Sequence, residues 1–186
     1  MKRKLLMLSA VAICIAILAA GSLACFTAED TAHNVITTGG VNIRLDEWAD
    51  NDKTQPFEDL QGLMPGMEVT KIAEVTNTGA AEAWIRVLVT KNIELVGEGE
   101  IDPDLVSLNL NEEFWTLGED GYYYYNRPLK PAETTEPIFT TVTFDVNMGN
   151  EYQGSTATVD VLAQAVQTAH NGDSALDAQG WPANNP

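Results

Sequence analysis

The chain has 186 residues, and 10 Lys and Arg residues against 27 Asp and Glu residues give it a formal net charge of −17. Hydrophobic residues make up 45% of the sequence, which is too apolar for a disordered acidic tail and allows the packed core of one domain. The acidity argues against nucleic-acid binding, because a phosphate backbone is neutralised by clustered Lys and Arg. It argues equally against a polybasic membrane-surface patch.

The N-terminal 25 residues are organised like a secretory leader. Residues 2–4 (KRK) form a basic start, and no charged residue occurs from Leu5 to Ala28. A basic segment, an apolar segment and then small residues are typical of a signal peptide. Because this leader holds three positive charges and no negative one, its removal leaves 161 residues with a net charge of −20. We therefore expect a signal helix over 1–25 and a secreted location.

The expected cleavage region is Ala24, Cys25 and Phe26, and two alternatives remain open there. Residues 22–25 (SLAC) resemble a lipobox with its leucine displaced by one position, which would make Cys25 a lipidation site. An uncleaved leader is the other alternative, because an uncharged stretch of about 24 residues is long enough to span a bilayer. All three alternatives place residues 30–186 outside the cell. Both cysteines lie at or before position 25, so the exported part has no disulfide.

The exported part shows the alternation of β-strands rather than the period of helices. Apolar and polar residues alternate at 41–46 and most clearly at 157–166, near the end of the chain. The further predicted strands lie at 69–76, 83–90, 106–110, 114–125 (a hairpin around 118–121) and 139–146. Short strands with regular turn signals and no useful amphipathic helix predict an all-β domain. We expect a jelly-roll-like β-sandwich preceded by the N-terminal signal helix.

This pattern divides the chain into four parts. They are a signal peptide at 1–25, an N-terminal arm and first strand at 26–40, a β-sandwich domain at 41–170 and a polar C-terminal tail at 171–186. Trp181 either docks that tail on the body or leaves it to fray. The four consecutive tyrosines at 122–125 predict a strand with two inward and two outward rings.

Three separated blocks of the sequence resemble the TasA/CalY (camelysin) family, whose members carry SipW-dependent signal peptides and are exported by Gram-positive bacteria. The blocks are 21–27 (GSLACFT) with 34–43 (NVITTGGVNI), then 63–69 (LMPGMEV) with 77–79 (NTG) and 83–87 (AWIRV), and finally 152–154 (YQG) with the long strand and 165–167 (AVQ). Together they cover most of the chain, in the family's order and spacing.

The resemblance implies a structural protein of the cell surface or biofilm matrix. In such fibres the segment that cleavage frees inserts as a strand into the next subunit. Here that segment is 26–36, with Phe26, Val35 and Ile36 as its apolar anchors. An open sheet edge offers unpaired N–H and C=O groups that an extended arm can satisfy. The implied partners are other copies of the chain, other matrix or cell-surface components, and a SipW-type signal peptidase during export.

Two alternatives are a camelysin-type secreted metalloprotease and a monomeric surface adhesin. A zinc protease needs about three protein ligands and a general base. The sequence offers His33 and His170 and no H-E-x-x-H motif. Ser107, Ser155 and Ser174 lie outside any G-x-S-x-G elbow. We therefore predict no catalytic residue and no resident cofactor or metal.

Two acidic runs leave weak calcium binding as an alternative to solvated loops. Calcium prefers several oxygen ligands, but neither run matches a 12-residue EF-hand loop. The two runs consist of Asp46, Glu47, Asp50 and Asp52, and of Glu98, Glu100, Asp102 and Asp104.

Overall fold

A computed structural model describes the backbone of residues 35–37 and residues 41–58, 64–95, 99–149, 152 and 154–183. The chain divides into two compact units, Met1–Ala32 and His33–Pro186. The expected signal helix at 1–25 and most of the arm at 26–40 lie outside the described residues. Within the described part there is one short 3-10 turn, Pro103–Leu105, and no helix is long and apolar enough to cross a membrane.

The structure describes nine strands in two sheets. They are β1 (Val35–Thr37), β2 (Ile43–Trp48), β3 (Glu68–Asn77), β4 (Ala83–Glu94), β5 (Val106–Leu108), β6 (Trp115–Leu117), β7 (Tyr123–Tyr125), β8 (Phe139–Phe144) and β9 (Thr156–Gln167). The five-stranded sheet has the order β1-β9-β4-β7-β6, and the four-stranded sheet has the order β2-β3-β8-β5. Neighbouring strands are antiparallel except β1 and β9, which are parallel.

One hydrophobic core lies between the two sheets. Alternate residues of β2, such as Ile43 and Leu45, are buried in it with Ile85 and Val87 of β4. Residues two apart on a strand face the same side, so alternation supplies one apolar face to each sheet. The predicted all-β class is confirmed, and the arrangement is that of a β-sandwich.

The predicted strands are confirmed, with shifted ends. The strand predicted over 41–46 continues to Trp48, because Glu47 and Trp48 pair with Ala73 and Ile72 of β3. The strand predicted over 83–90 extends to Glu94, since β9 pairs with it along its whole length. The strands predicted over 106–110 and 139–146 end earlier, at Leu108 and Phe144.

The NTG sequence at 77–79 forms the connection between β3 and β4. Asn77 is fully buried, and its amide group donates to the carbonyl oxygens of Ala81 and Leu129, each at 2.8 Å. Its side-chain oxygen accepts the N–H of Gly79 at 2.9 Å. A Cβ atom on Gly79 would lie 2.9 Å from the backbone nitrogen of Asn42, which is too close for a side chain. Glycine is therefore required where this turn approaches the segment before β2.

A second apolar cluster covers the outer face of the five-stranded sheet. Trp84, Tyr122 and Tyr124 are buried there against the C-terminal tail, which contributes Ala178 and Trp181. Tail docking, one of the two alternatives for Trp181, is thus confirmed for the described part of the tail. The predicted alternation of the four tyrosine rings is confirmed, with Tyr123 and Tyr125 toward the core and Tyr122 and Tyr124 on the outer face, where the tail covers them.

Candidate functional site

The incompletely paired edge of β9 is the candidate site. β4 pairs with all twelve residues of β9, from Thr156 to Gln167. On the opposite side, β1 pairs with Ala163–Ala165. Among the described residues, no strand lies beside 156–162 on that side. An edge of this kind can accept a further strand.

The backbone groups of Val159 point toward this free side. Ala83 of β4 exchanges both backbone hydrogen bonds with Leu129, at 3.0 and 2.8 Å, on the side away from β9. Backbone groups alternate in direction along a strand, so the odd-numbered residues of β4 face away from β9. Their partners on β9 are also odd-numbered, with Lys91 opposite Val159. The N–H and C=O of Val159 therefore face the open edge.

Lys71 of the four-stranded sheet occupies this edge. Its ammonium donates a hydrogen bond to the carbonyl oxygen of Val159 at 2.8 Å. Lys71 is only 4% exposed, and its side chain crosses from one sheet to the other. An inward-pointing charge beside an edge strand hinders the addition of another strand, because that strand must displace it.

Glu47 and Phe57 complete the surroundings of the Lys71 ammonium. Glu47 Oε1 lies 3.0 Å from Lys71 Nζ, although this buried oxygen accepts no well-directed hydrogen bond. The ring centre of Phe57 lies 4.3 Å from Nζ, a cation–π distance. A carboxylate and an aromatic ring thus offset part of the desolvation of a buried cation.

A register shift directs Lys71 inward. The pairing of β3 with β8 slips between Thr70 and Ala73, as at a β-bulge. A bulge inserts an extra residue, bends the strand and re-aims a side chain. Because β2 pairs with β3 without interruption from Ile72 to Asn77, the irregularity affects only the segment that carries Lys71.

Two of the three predicted arm anchors lie within the described residues, and the third lies outside them. Val35 and Ile36 form β1 and lie opposite Ala163 and Gln164. Phe26, and the predicted cleavage residues Ala24 and Cys25, lie outside the described residues. The strand that the family resemblance designates as donated is therefore seen, in its last part, on the β9 edge of its own chain.

A buried arginine organises the outer face of the same sheet. Arg86 Nε donates to Gln164 Oε1 at 2.9 Å, and Nη1 lies 3.0 Å from both Asp120 Oδ2 and the hydroxyl of Tyr124. The guanidinium carbon is 3.9 Å from the ring centre of Tyr122. Burial raises the pKa of the Tyr124 hydroxyl. These partners account for the charge of Arg86 and make it a structural element.

A second polar group lies at the end of the tyrosine strand. The hydroxyl of Tyr125 donates a short hydrogen bond to Glu136, and it accepts one from Arg127 Nε at 3.0 Å. Burial and the Glu136 carboxylate raise the pKa of Tyr125 to about 12. Burial opposes ionisation of Glu136, but hydrogen bonds, first that from Tyr125, and the charge of Arg127 hold its pKa below the usual value. The Tyr125 hydroxyl thus links the tyrosine strand to Glu136 and Arg127.

The acidic runs have partners within the chain. Asp46 pairs with Arg44 at 2.8 Å. Asp50 closes its loop by accepting hydrogen bonds from the hydroxyl of Thr54 at 2.6 Å and the N–H of Gln55 at 3.0 Å, and these bonds lower its pKa. In the second run, Asp102 caps the 3-10 turn and Glu98 lies outside the described residues.

Metal binding by the two histidines stays an alternative that rests on the sequence alone. His170 is exposed in a turn after β9, where it has a left-handed φ of 56°. His33 lies outside the described residues. In the described part of the chain, no three His, Cys, Asp or Glu side chains are grouped so that they could hold a metal ion.

Sequence reasoning missed Lys71 and Arg86. A lysine in phase with the apolar positions Val69, Ala73 and Val75 was a signal for Lys71, because a charge on a core face needs a specific partner. Arg86 carried no such signal, since its strand face becomes buried only when the distant tail docks.

The fold places the protein in the class of all-β sandwiches. Within the described residues, one side of its strand β9 is only partly paired. Comparison with protein-family models, with curated proteins and with solved structures gave no match.

Proposed function

We propose that the chain is a secreted structural subunit of the TasA/camelysin type, with a jelly-roll domain that polymerises by strand exchange after removal of the leader. The observation that carries the proposal is the parallel pairing of β1 with Ala163–Ala165, next to residues 156–162 of β9, which have no strand partner on that side among the described residues. The arm is the part of the chain that family resemblance designates as the donated strand. In its own chain, the described end of the arm pairs with the edge of β9 at which a neighbour's arm would bind.

The short pairing favours exchange between copies. β1 has three residues, so within the described part of the chain it pairs with β9 over a short length. The same contact can form with a second copy at little cost, as in domain swapping. Pairing over the rest of the edge adds further main-chain hydrogen bonds in the assembled state. Polymerisation would thus keep the contact seen in one chain and extend it.

A disulfide that locks β1 to its own β9 tests this proposal. In the mature chain starting at Phe26 there is no native cysteine. Val35→Cys and Ala163→Cys lie on directly paired residues, and neighbouring strands about 4.8 Å apart suit a disulfide. We expect the oxidised double variant to stay monomeric and the reduced one to form fibres, by electron microscopy and light scattering.

Single-cysteine variants under the same oxidising conditions provide the control, because they cannot close the internal crosslink. An equimolar mixture of the Val35→Cys and Ala163→Cys single variants should also give intermolecular disulfides during assembly, which join position 35 of one copy to position 163 of another. Fibres formed equally well by the oxidised double variant would contradict strand exchange through this arm.

Secretion is a separate part of the proposal and needs its own measurement. Intact mass of the extracellular protein distinguishes the three predicted ends. A start at Phe26 supports the fibre family. A lipidated Cys25 would indicate a lipoprotein, and a full-length chain would indicate a membrane anchor.

A further inference from the structure

The outer edge of β5, the last strand of the four-stranded sheet, has a lysine cap of its own. Lys91 of β4 donates hydrogen bonds from its ammonium to the carbonyl oxygens of Val106 and Pro103, at 2.7 and 3.0 Å. Lys91 lies two residues before Ile93 and shares its inward face, since Ile93 is buried in the core. Its side chain therefore crosses from the five-stranded sheet to the other one, as that of Lys71 does in the opposite direction.

The backbone groups of Val106 and Leu108 face this outer edge. On the inner side, the carbonyl of Leu105 accepts the N–H of Asp145, which follows β8, at 2.8 Å. Because backbone groups alternate in direction along a strand, those of Val106 and Leu108 point away from β8. Within the described residues, no strand pairs with β5 on that side. The N–H of Val106 donates to the carbonyl of Pro103, so the lysine cap covers the other backbone group of the same residue.

The segment that forms this edge carries no charge. Residues 105–111 (LVSLNLN) contain no Asp, Glu, Lys or Arg, although the chain has 27 acidic and 10 basic residues. Uncharged segments of high β-propensity pair readily with one another, and native proteins protect such edges with charged groups. Since β5 has no charged side chain, the Lys91 ammonium supplies this protection. Two copies of the edge can meet without placing like charges on the paired residues, which favours a second copy as the partner.

We propose that the β5 edge is a self-association surface for a second copy of the chain, and that Lys91 keeps it closed in the free subunit. Two β5 strands would pair antiparallel about a two-fold axis and join the four-stranded sheets of the two copies. The backbone groups of Leu108 point toward the partner, whereas the Val106 carbonyl can accept from it only after the ammonium leaves. This surface lies on β5 and does not involve the arm, so it goes beyond strand exchange at β9 and does not rest on it.

The test compares Lys91→Met with the wild-type protein by sedimentation equilibrium in about 0.1 M salt, which screens charges beyond about 10 Å. Pairing would no longer displace a charge-assisted hydrogen bond, so the dimer dissociation constant should fall by about tenfold or more. Amide hydrogen exchange gives the second readout, because the N–H of Leu108 should become protected in the dimer. Lys91→Arg keeps a cationic donor and should behave like the wild type.

Matched variants separate the cap from a general effect of charge. Lys130→Met removes an exposed lysine elsewhere and changes the net charge equally, so it should leave association unchanged. Adding Leu108→Pro to Lys91→Met removes an outward N–H, which an edge strand tolerates, and should restore the monomer. Lys91→Gln also removes the ammonium, and it repeats the comparison should circular dichroism show that the methionine variant does not fold.

The outcomes distinguish this surface from strand exchange through the arm. Lys91→Met introduced into the oxidised Val35→Cys/Ala163→Cys chain should still give dimers, because the arm takes no part in them. Folded Lys91 variants as monomeric as the wild type, or dimers without protection at Leu108, would overturn the proposal. Dimers with that protection and no fibres under any condition would support the β5 edge and overturn polymerisation by the arm.

Discussion

The guanidinium carbon of Arg86 lies 4.6 Å from the ring centre of Trp181 and so attaches the C-terminal tail to the five-stranded sheet. The same ring packs edge-on against Tyr124, with ring centres 5.8 Å apart. A cation–π contact is worth more when water is excluded from it. This contact explains why a tail rich in polar residues follows a defined path in its described part.

Trp181→Ala should destabilise the protein by about 2 kcal/mol, because it removes both the aromatic packing and the cation–π contact. Urea unfolding monitored by circular dichroism measures the change. Leu176→Ala is the matched control, since Leu176 lies in the same tail but is 52% exposed, and it should change stability by less than about 0.5 kcal/mol. Equal effects of the two substitutions would contradict docking through Trp181.

Asn77→Ala should destabilise the protein by about 3 kcal/mol. The substitution removes two amide hydrogen bonds and leaves the buried carbonyl of Leu129 without that donor. Thr78→Ala changes the adjacent, exposed side chain and serves as the control, with an expected effect below about 0.5 kcal/mol. Both values come from denaturant unfolding. A small effect at Asn77 would mean that the turn is held by its backbone hydrogen bonds alone.

The neutral tyrosine beside Glu136 predicts a loss of stability in alkali. The pKa of Tyr125 is raised from 10.0 in the unfolded chain to about 12 in the folded protein. The unfolded chain therefore releases this proton first, and stability that is fully present below pH 10 is lost as pH rises toward 12. Unfolding at about pH 9 and about pH 11.5 should show a larger loss for wild type than for Tyr125→Phe.

Tyr125→Phe keeps the ring and removes the titrating group, so the comparison isolates this residue. Tyr123 and Tyr124 also have raised pKa values, both mainly from burial, and they contribute equally in the two chains. Parallel pH profiles for wild type and Tyr125→Phe would show that the hydroxyl of Tyr125 titrates at its ordinary pKa.

The alternation of apolar residues made the sandwich predictable, whereas long-range contacts decided its edges. Val159 and Val161 alternate with polar residues, so a strand with one core face followed from sequence alone. The partner of that strand did not, because pairing depends on which segments meet in the folded chain. The packing of the C-terminal tail on the outer face of β4 could not be predicted for the same reason, and Arg86 is buried there by Trp181 of the tail.

The sequence predicted the arm strand of the candidate site but not the role of Lys71 at the edge of β9. Val35 and Ile36 were predicted as strand residues of the arm, and both lie in β1. Lys71 was missed although its phase with the apolar residues of β3 was a signal, and its acceptor, the Val159 carbonyl, lies on the opposite sheet and could not be named from sequence. The register shift that aims it at Val159 depends on the pairing of β3 with β8.

Charge sets the remaining prediction, which concerns the conditions of assembly. If the leader is removed before Phe26 as proposed, the chain carries a net charge of −20 and its copies repel one another at low ionic strength. The Debye length falls from about 30 Å at 0.01 M salt to about 10 Å at 0.1 M. Fibre growth, measured by light scattering, should therefore be faster by about tenfold or more at the higher salt. Strand pairing is local and uses main-chain groups, so salt should change the rate while leaving fibre morphology the same.

The oxidised Val35→Cys/Ala163→Cys variant is the control, since it should stay monomeric at both salt concentrations. Growth that slows with added salt would show that contacts between opposite charges, rather than edge pairing against repulsion, drive the assembly.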